Sequence, residues 1–206
     1  MRLRTFHAIS ATVITSYAAV HIANHLAALG GIATHIAFME AARSVYRIRF
    51  VEAVLLACVL FQVLSGLWLV ARGWRQRRGT VSWLQAVAGT YLAFFLVVHV
   101  SAVLFGRLSL GLDTNFYFAA AGFHVRPFQL FFAPYYLLGV LALFTHLGCA
   151  AYWRAKSSGR SSSSLFIALP VAVGALLSLV IVLLLAGVFY RVEIPPEYRA
   201  IYVPRA

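Results

Sequence analysis

The chain has 206 residues, 63% of them hydrophobic and only 11% charged, with a mean hydropathy of +0.88. This excludes a soluble globular domain and predicts an all-α integral membrane bundle. The net charge of +12, from 17 Lys and Arg against 5 Asp and Glu, reads as a topology signal and an attraction to anionic lipid rather than as nucleic-acid binding.

Five apolar stretches are each long enough to cross a bilayer at about 20 residues. They cover residues 6–29, 50–71, 83–105, 128–153 and 165–190, and a tail with prolines and tyrosines follows at 191–206. Residues 1–190 therefore read as one five-helix domain, and the tail reads as extended and lying on a partner. The opening Met1-Arg2-Leu3-Arg4 resembles a signal peptide, but its apolar run continues past polar residues to Leu29, so an uncleaved first helix is expected.

Within the first stretch stands Val20-His21-Ile22-Ala23-Asn24-His25. Ionisable and amide groups at membrane depth are expensive and face a bundle interior where they serve function. The next connection, residues 36–47, reads as a short interfacial amphipathic helix. The second stretch contributes Gln62, the third His99 and the fourth His146. The fifth offers nothing polar but Ser178 and reads as a peripheral, lipid-facing helix. His7 reads as an interface residue, and His35 and His124 lie in the connections. Cys58 and Cys149 have no metal-ligand spacing and read as small buried hydrophobes.

Orientation follows from the basic residues. With the N-terminus inside, the inner segments carry Arg2, Arg4, Arg72, Arg75, Arg77, Arg78, Arg154, Lys156 and Arg160, with no acid. The outer segments carry Arg43, Arg47, Arg49, Arg107, Arg126, Arg191, Arg199 and Arg205, diluted by Glu40, Glu52, Asp113, Glu193 and Glu197. Short, purely basic inner loops favour the N-inside arrangement. The loop from Ser157 to Ser164 is Ser-rich and reads as flexible.

Depth can be counted from helix rise. His21 lies about 26 Å beyond Arg4, and His99 about 24 Å beyond Trp83. Helices one and three run in the same direction, so both imidazoles share an outer layer. Gln62 and His146 lie about 15 and 12 Å from the inner edge, in a second layer roughly 10 Å away. Two imidazoles at one depth on neighbouring helices suit an axial haem pair, each nitrogen giving a lone pair to iron from opposite faces. Gly66, Gly89, Gly139, Ala18, Ala19, Ala86 and Ala93 let helices pack closely beside a flat macrocycle. Arg4, Arg72, Arg107 and Ser101 are candidates to meet its propionates.

The pieces also carry a resemblance. His21-Ile22-Ala23-Asn24-His25 is followed by Met39-Glu40-Ala41-Ala42-Arg43 and by Phe61-Gln62-Val63-Leu64-Ser65-Gly66-Leu67-Trp68. Trp83-Leu84-Gln85 leads through Gly89 to His99, and Tyr135 through Gly139 to His146. In this order, over about residues 6–153, they resemble the five-helix cytochrome b membrane anchor of succinate dehydrogenases and fumarate reductases. They also resemble the related membrane domain of some bacterial adenylate cyclases. The resemblance implies a haem b protein of the bacterial inner (cytoplasmic) membrane. It would be an electron-transfer subunit rather than a complete enzyme, linked to quinone and docked on flavin and iron–sulfur subunits at the cytoplasmic side.

In the diheme members, helices one and three hold the outer haem and helices two and four the inner one. Carried over, His21 and His99 are the outer iron ligands, and His146 matches one inner ligand. Gln62 stands where the pattern has histidine. An amide oxygen is a poor iron ligand beside imidazole, so one haem is expected. His146 and Gln62 are then left as a second haem or quinone site, or bonded to each other. His25, one turn beyond His21, is the alternative outer ligand or a propionate partner. The readings from other classes are a redox or quinone sensor or assembly module on the same fold, and a haem-free structural subunit of a membrane complex. The Arg72 to Arg78 cluster is either a topology signal or a docking site for a cytoplasmic subunit.

Overall fold

The computed structural model describes residues 2–159 and 164–202; Arg160, Pro204, Arg205 and residues 161–163 of the Ser-rich loop lie outside the described residues. Among the described residues eight α-helices occur in chain order: α1 (Arg2–Ala27), α2 (Ile32–Tyr46), α3 (Arg49–Gly73), α4 (Thr80–Leu108), α5 (Phe116–Ala120), α6 (Gln129–Ser157), α7 (Leu165–Leu185) and α8 (Pro196–Arg199). Five of them, α1, α3, α4, α6 and α7, are long and apolar enough to cross a membrane. The chain is an all-α, multi-pass bundle, the form that apolar runs must take where no water can satisfy the backbone.

The spans form a ring. α1 packs on α3, α3 on α4, α4 on α6, α6 on α7, and α7 returns to α1. α1 and α4 therefore face each other across the bundle. α6 and α7 make the most extensive contact because glycines bring their backbones together. A Cβ at Gly174 would lie 2.6 Å from the Cβ of Phe144, and one at Gly148 would lie 3.0 Å from the carbonyl oxygen of Phe166. This corrects the reading of the fifth span as peripheral. One face of α7 does look outward, through Leu169 and Leu176. The other buries Gly174, Ser178, Ile181, Leu184 and Leu185.

The remaining elements cover one end of the bundle. Gly31 (φ 101°) reverses the chain after α1, a conformation closed to other residues, and sends α2 back over the end of α1. Gly187 (φ 75°) does the same after α7, so the fifth helix stops at Leu185 and not at 190. The tail then packs on its own chain, where Val192, Ile194 and Tyr198 are buried with Phe116, Ala120, Ala121, Leu184 and Leu185. Within 191–202, Val192, Ile194 and Tyr198 thus help complete this cap.

Polar contacts pin the cap. Buried Arg43 of α2 pairs with Asp113 and Glu40, each at 2.7 Å. Asp113 in turn accepts from Asn115 Nδ2 at 3.1 Å, and its carbonyl accepts from the Tyr198 hydroxyl at 3.0 Å. Asn115 caps α5 by accepting from the amide of Tyr117 at 2.9 Å. Arg107 pairs with Glu52, tying α4 to α3 at the same end. Asp113→Asn leaves Arg43 with only the exposed Glu40. We expect it to destabilise the cap by about 1 kcal/mol, since Asp113 is half exposed and partly screened. Differential scanning fluorimetry of the purified variant checks this, and an unchanged melting curve would count against the pairing.

Candidate functional site

The structure brings four imidazoles together under the cap. His21 on α1 and His99 on α4 face each other with ring centres 5.9 Å apart and planes at 67°. His25, one turn along α1, meets His21 edge-on at 4.8 Å, and His35 of α2 continues the row at 5.5 Å from His25. Each facing ring is backed by an aromatic neighbour: His21 stacks on Tyr17 at 5.8 Å and His99 on Phe95 at 5.2 Å. Tyr136 of α6 approaches His99 edge-on at 6.2 Å.

Among the described residues, no hydrogen bond joins the ring nitrogens of His21, His25 or His99 to the protein. Their side chains are half-buried although they sit deep in the bundle. The reason lies in how the helices meet. The buried residues of α1, α3 and α4 are all small or polar: Ser10, Asn24, Ser65, Ala86, Ala88, Ala93 and Gly106. Among the described residues, no group of three or more His, Cys, Asp or Glu side chains is placed to hold a metal ion. The imidazoles meet ring to ring and do not converge on one point. An axial haem pair needs only two of them.

His35 was missed as a member of this cluster, because its position before the predicted helix 36–47 leaves it in a loop. It is 2% exposed and bonds Asn24 Nδ2 through Nε2 at 3.2 Å. Its Nδ1 and the Oδ1 of Asn24 are buried without a partner. The available signal is the spacing His35–Met39–Arg43, which is the buried face of α2.

Burial, and then the charges of His21 and Arg43 nearby, lower the His35 pKa from the ordinary 6.5 to about 4. The sign follows directly. The folded chain keeps His35 neutral, whereas the unfolded chain protonates it below 6.5. Its contribution is therefore full above pH 6.5 and is lost as the pH falls toward 4. We expect His35→Gln to flatten the acid loss of thermal stability by about 2 kcal/mol at pH 4 relative to wild type. Parallel melts of the two proteins between pH 7 and 4 test this, and equal acid slopes would refute it.

The second layer differs from the expectation. His146 Nδ1 bonds the carbonyl oxygen of Gln85 at 3.1 Å, and Gln62 Nε2 donates to the carbonyl of His7 at 3.1 Å. Gln62 and His146 therefore do not bond each other. The imidazole that accompanies His146 at this depth is His7, whose Nδ1 meets Ser65 Oγ at 2.7 Å. The layers also lie farther apart than the predicted 10 Å, since His7 precedes His21 by about 21 Å along α1.

Of the propionate candidates, Arg107 is engaged by Glu52, while Arg4, Arg72 and Ser101 are exposed. His124 bonds the carbonyl oxygen of Leu185 at 2.9 Å and serves the cap. Cys149 is buried, Cys58 is half-buried, and both are free thiols. At the opposite end Arg77 lies between the rings of Trp74 and Trp83, at 5.7 and 5.3 Å, leaving Arg75 and Arg78 exposed beside it. No family model, curated protein or solved structure matches the chain.

Proposed function

We propose that the chain is a haem b-binding membrane subunit in quinone-linked electron transfer, with His21 and His99 as the axial ligands. One observation carries this reading: the two imidazoles face each other across the bundle at 5.9 Å. Two imidazoles bound to one iron from opposite faces have ring centres about 6 Å apart, given metal–nitrogen distances of about 2 Å on each side. The small buried residues of α1, α3 and α4 support it, because they let these helices pack closely around the facing rings.

The bound haem supplies one-electron chemistry. The protein's part is to hold and orient. Tyr17 and Phe95 fix the two ring planes by stacking. The cap buries Phe116 and His35 above the cluster and keeps bulk water from that end. His25 stands ready as a polar neighbour to a propionate or as a substitute ligand.

The chain takes the N-inside orientation in a bacterial cytoplasmic membrane. Exposed Arg72, Arg75 and Arg78 then face the cytoplasm, where they suit docking of flavin and iron–sulfur subunits of the succinate dehydrogenase or fumarate reductase type. Arg77 contributes by stiffening that turn through its two tryptophans. The test is a dithionite-reduced minus oxidised spectrum with a pyridine haemochrome count on the purified chain. At least one b haem per chain is expected. A well-folded preparation without haem would overturn the reading.

A further inference from the structure

The face that α2 turns inward is polar, and several of its polar groups lack a partner. His35, Met39 and Arg43 are the buried residues of that face. His35 Nε2 accepts from the Asn24 amide at 3.2 Å, so the neutral ring carries its proton on Nδ1. Among the described residues that N–H has no acceptor, and neither has the N–H of Arg43 Nε, although the two residues are only 2% and 6% exposed. Arg47 Nε, one turn farther on, is also buried without a partner. A buried donor left unpaired is expensive. Three of them on one row of a helix mark a place where an acceptor belongs.

The row lies along the imidazole cluster. Near its start His35 meets His25 ring to ring at 5.5 Å, and near its end Tyr46 meets Tyr17 edge-on at 5.4 Å. Tyr17 is the ring that stacks on His21. α2 therefore spans the cluster from His25 to the ring behind His21, and Arg43 falls between those two contacts. His35 stands two ring contacts from His21, at 4.8 and 5.5 Å, which suits a side arm at the edge of a porphyrin held there. Arg107 is engaged by Glu52, and Arg4 lies about 26 Å from His21 along α1, so neither competes for that arm.

The acceptor that fits is an anion. All three unpartnered groups on the row are N–H donors, and two belong to guanidinium ions. Arg43 meets Glu40 and Asp113 through Nη1, which leaves its Nε edge for a further carboxylate. A neutral carbonyl offers one oxygen and no charge, whereas a carboxylate offers two oxygens and the charge that a guanidinium favours. Asn24 Oδ1, an unpartnered acceptor beside the row, suits a bridging water.

We infer that the inward face of α2 is the carboxylate seat of the bound haem, with His35 Nδ1–H and Arg43 Nε–H donating to its propionates. The macrocycle then sits with its propionate edge toward the cap. The inference rests on the proposed function, since it orients the group proposed between His21 and His99.

The experiment is an equilibrium competition on the full chain purified with its haem, for wild type, His35→Leu, His35→Gln and Arg43→Lys. Bound haem b is challenged with its dimethyl ester, which keeps the iron and the ring but has no carboxylate. Extraction and mass spectrometry give the ester-to-haem ratio at which half is replaced. That ratio is indifferent to a general loss of affinity, so a merely structural role would leave it unmoved. Wild type should need about a tenfold excess of ester or more, the worth of one charge-assisted hydrogen bond. His35→Leu should bring the ratio down about tenfold, toward equal amounts, while His35→Gln keeps an N–H and should hold most of the preference. Arg43→Lys keeps a cation for Asp113 but loses the Nε donor, so it should lower the ratio as well. Replacement of wild-type haem by an equal amount of ester, or a ratio unmoved in both His35→Leu and Arg43→Lys, would overturn the inference and leave the proposed function standing. No haem in a folded wild-type chain would overturn both.

Discussion

Replacing His99 with alanine is expected to remove one b haem completely from the purified chain, and His21→Ala to remove it only in part. The asymmetry follows from what stands behind each ring. His21 has a second imidazole one turn away on the same helix, with ring centres 4.8 Å apart. When His21 is truncated, His25 can turn into the same space and take up the iron, with a changed spectrum. α4 contains no histidine other than His99, so nothing can replace it. Its neighbours Phe95 and Tyr136 offer an apolar ring and a phenol. The double variant His21→Ala/His25→Ala should therefore behave like His99→Ala. Either change removes one of the two axial iron–nitrogen bonds and leaves a single imidazole to hold the iron, so haem retention should fall sharply. The haemochrome count per chain reads the result. Full retention in His99→Ala would sink the assignment of that pair.

The spans and the facing pair were legible because both follow from one-dimensional arithmetic. An apolar run of about 20 residues has few alternatives in a membrane, and a constant rise per residue sets His21 and His99 at one depth. What could not be read is whatever depends on the chain turning back. His35 joins the cluster only because Gly31 reverses the backbone. Its helix also buries a polar face, His35 and Arg43 around Met39, where an amphipathic reading puts apolar residues inward.

His7 was read as an interface residue because it stands so near Arg4. Its partner Ser65 is a small hydroxyl on another helix, invisible to periodicity. Gln62 lies at the expected depth, yet its amide reaches a backbone carbonyl, and no pattern of side chains announces that. The packed side of α7 escaped for a similar reason. Gly148 and Gly174 mark close approach only once their facing partners, Phe166 and Phe144, are known.

Gly139→Leu should both destabilise the bundle and disturb the haem proposed at His99, although Gly139 is not itself part of the imidazole cluster. Gly139 is buried on α6 against the ring of Phe95 on α4, and a Cβ there would overlap that ring. The two helices cannot simply part. Tyr91 donates to the carbonyl of Tyr135 at 3.2 Å, and Tyr135 to the carbonyl of Phe95 at 3.1 Å, which fastens α4 to α6 one turn from the contact. Phe95 must move instead, and its ring is stacked between Tyr135 at 4.7 Å and His99 at 5.2 Å.

Overpacking of this kind typically costs about 1–3 kcal/mol. Leucine adds more than the one methyl group that already collides, so Gly139→Ala should fall in that range and Gly139→Leu above it. Displacing Phe95 also releases the plane of His99. The low-spin ferric signal of the haem proposed at His99 should broaden or shift in Gly139→Ala even where the haem is retained. Adding Phe95→Ala to Gly139→Leu vacates the space that leucine needs, so the pair should recover most of the lost thermal stability. It should not recover the wild-type signal, because His99 then has no stacking partner on α4. Thermal melts and resonance spectra of the four proteins separate the two effects. A wild-type melting point in Gly139→Leu alone would show that Phe95 is not held where its neighbours place it.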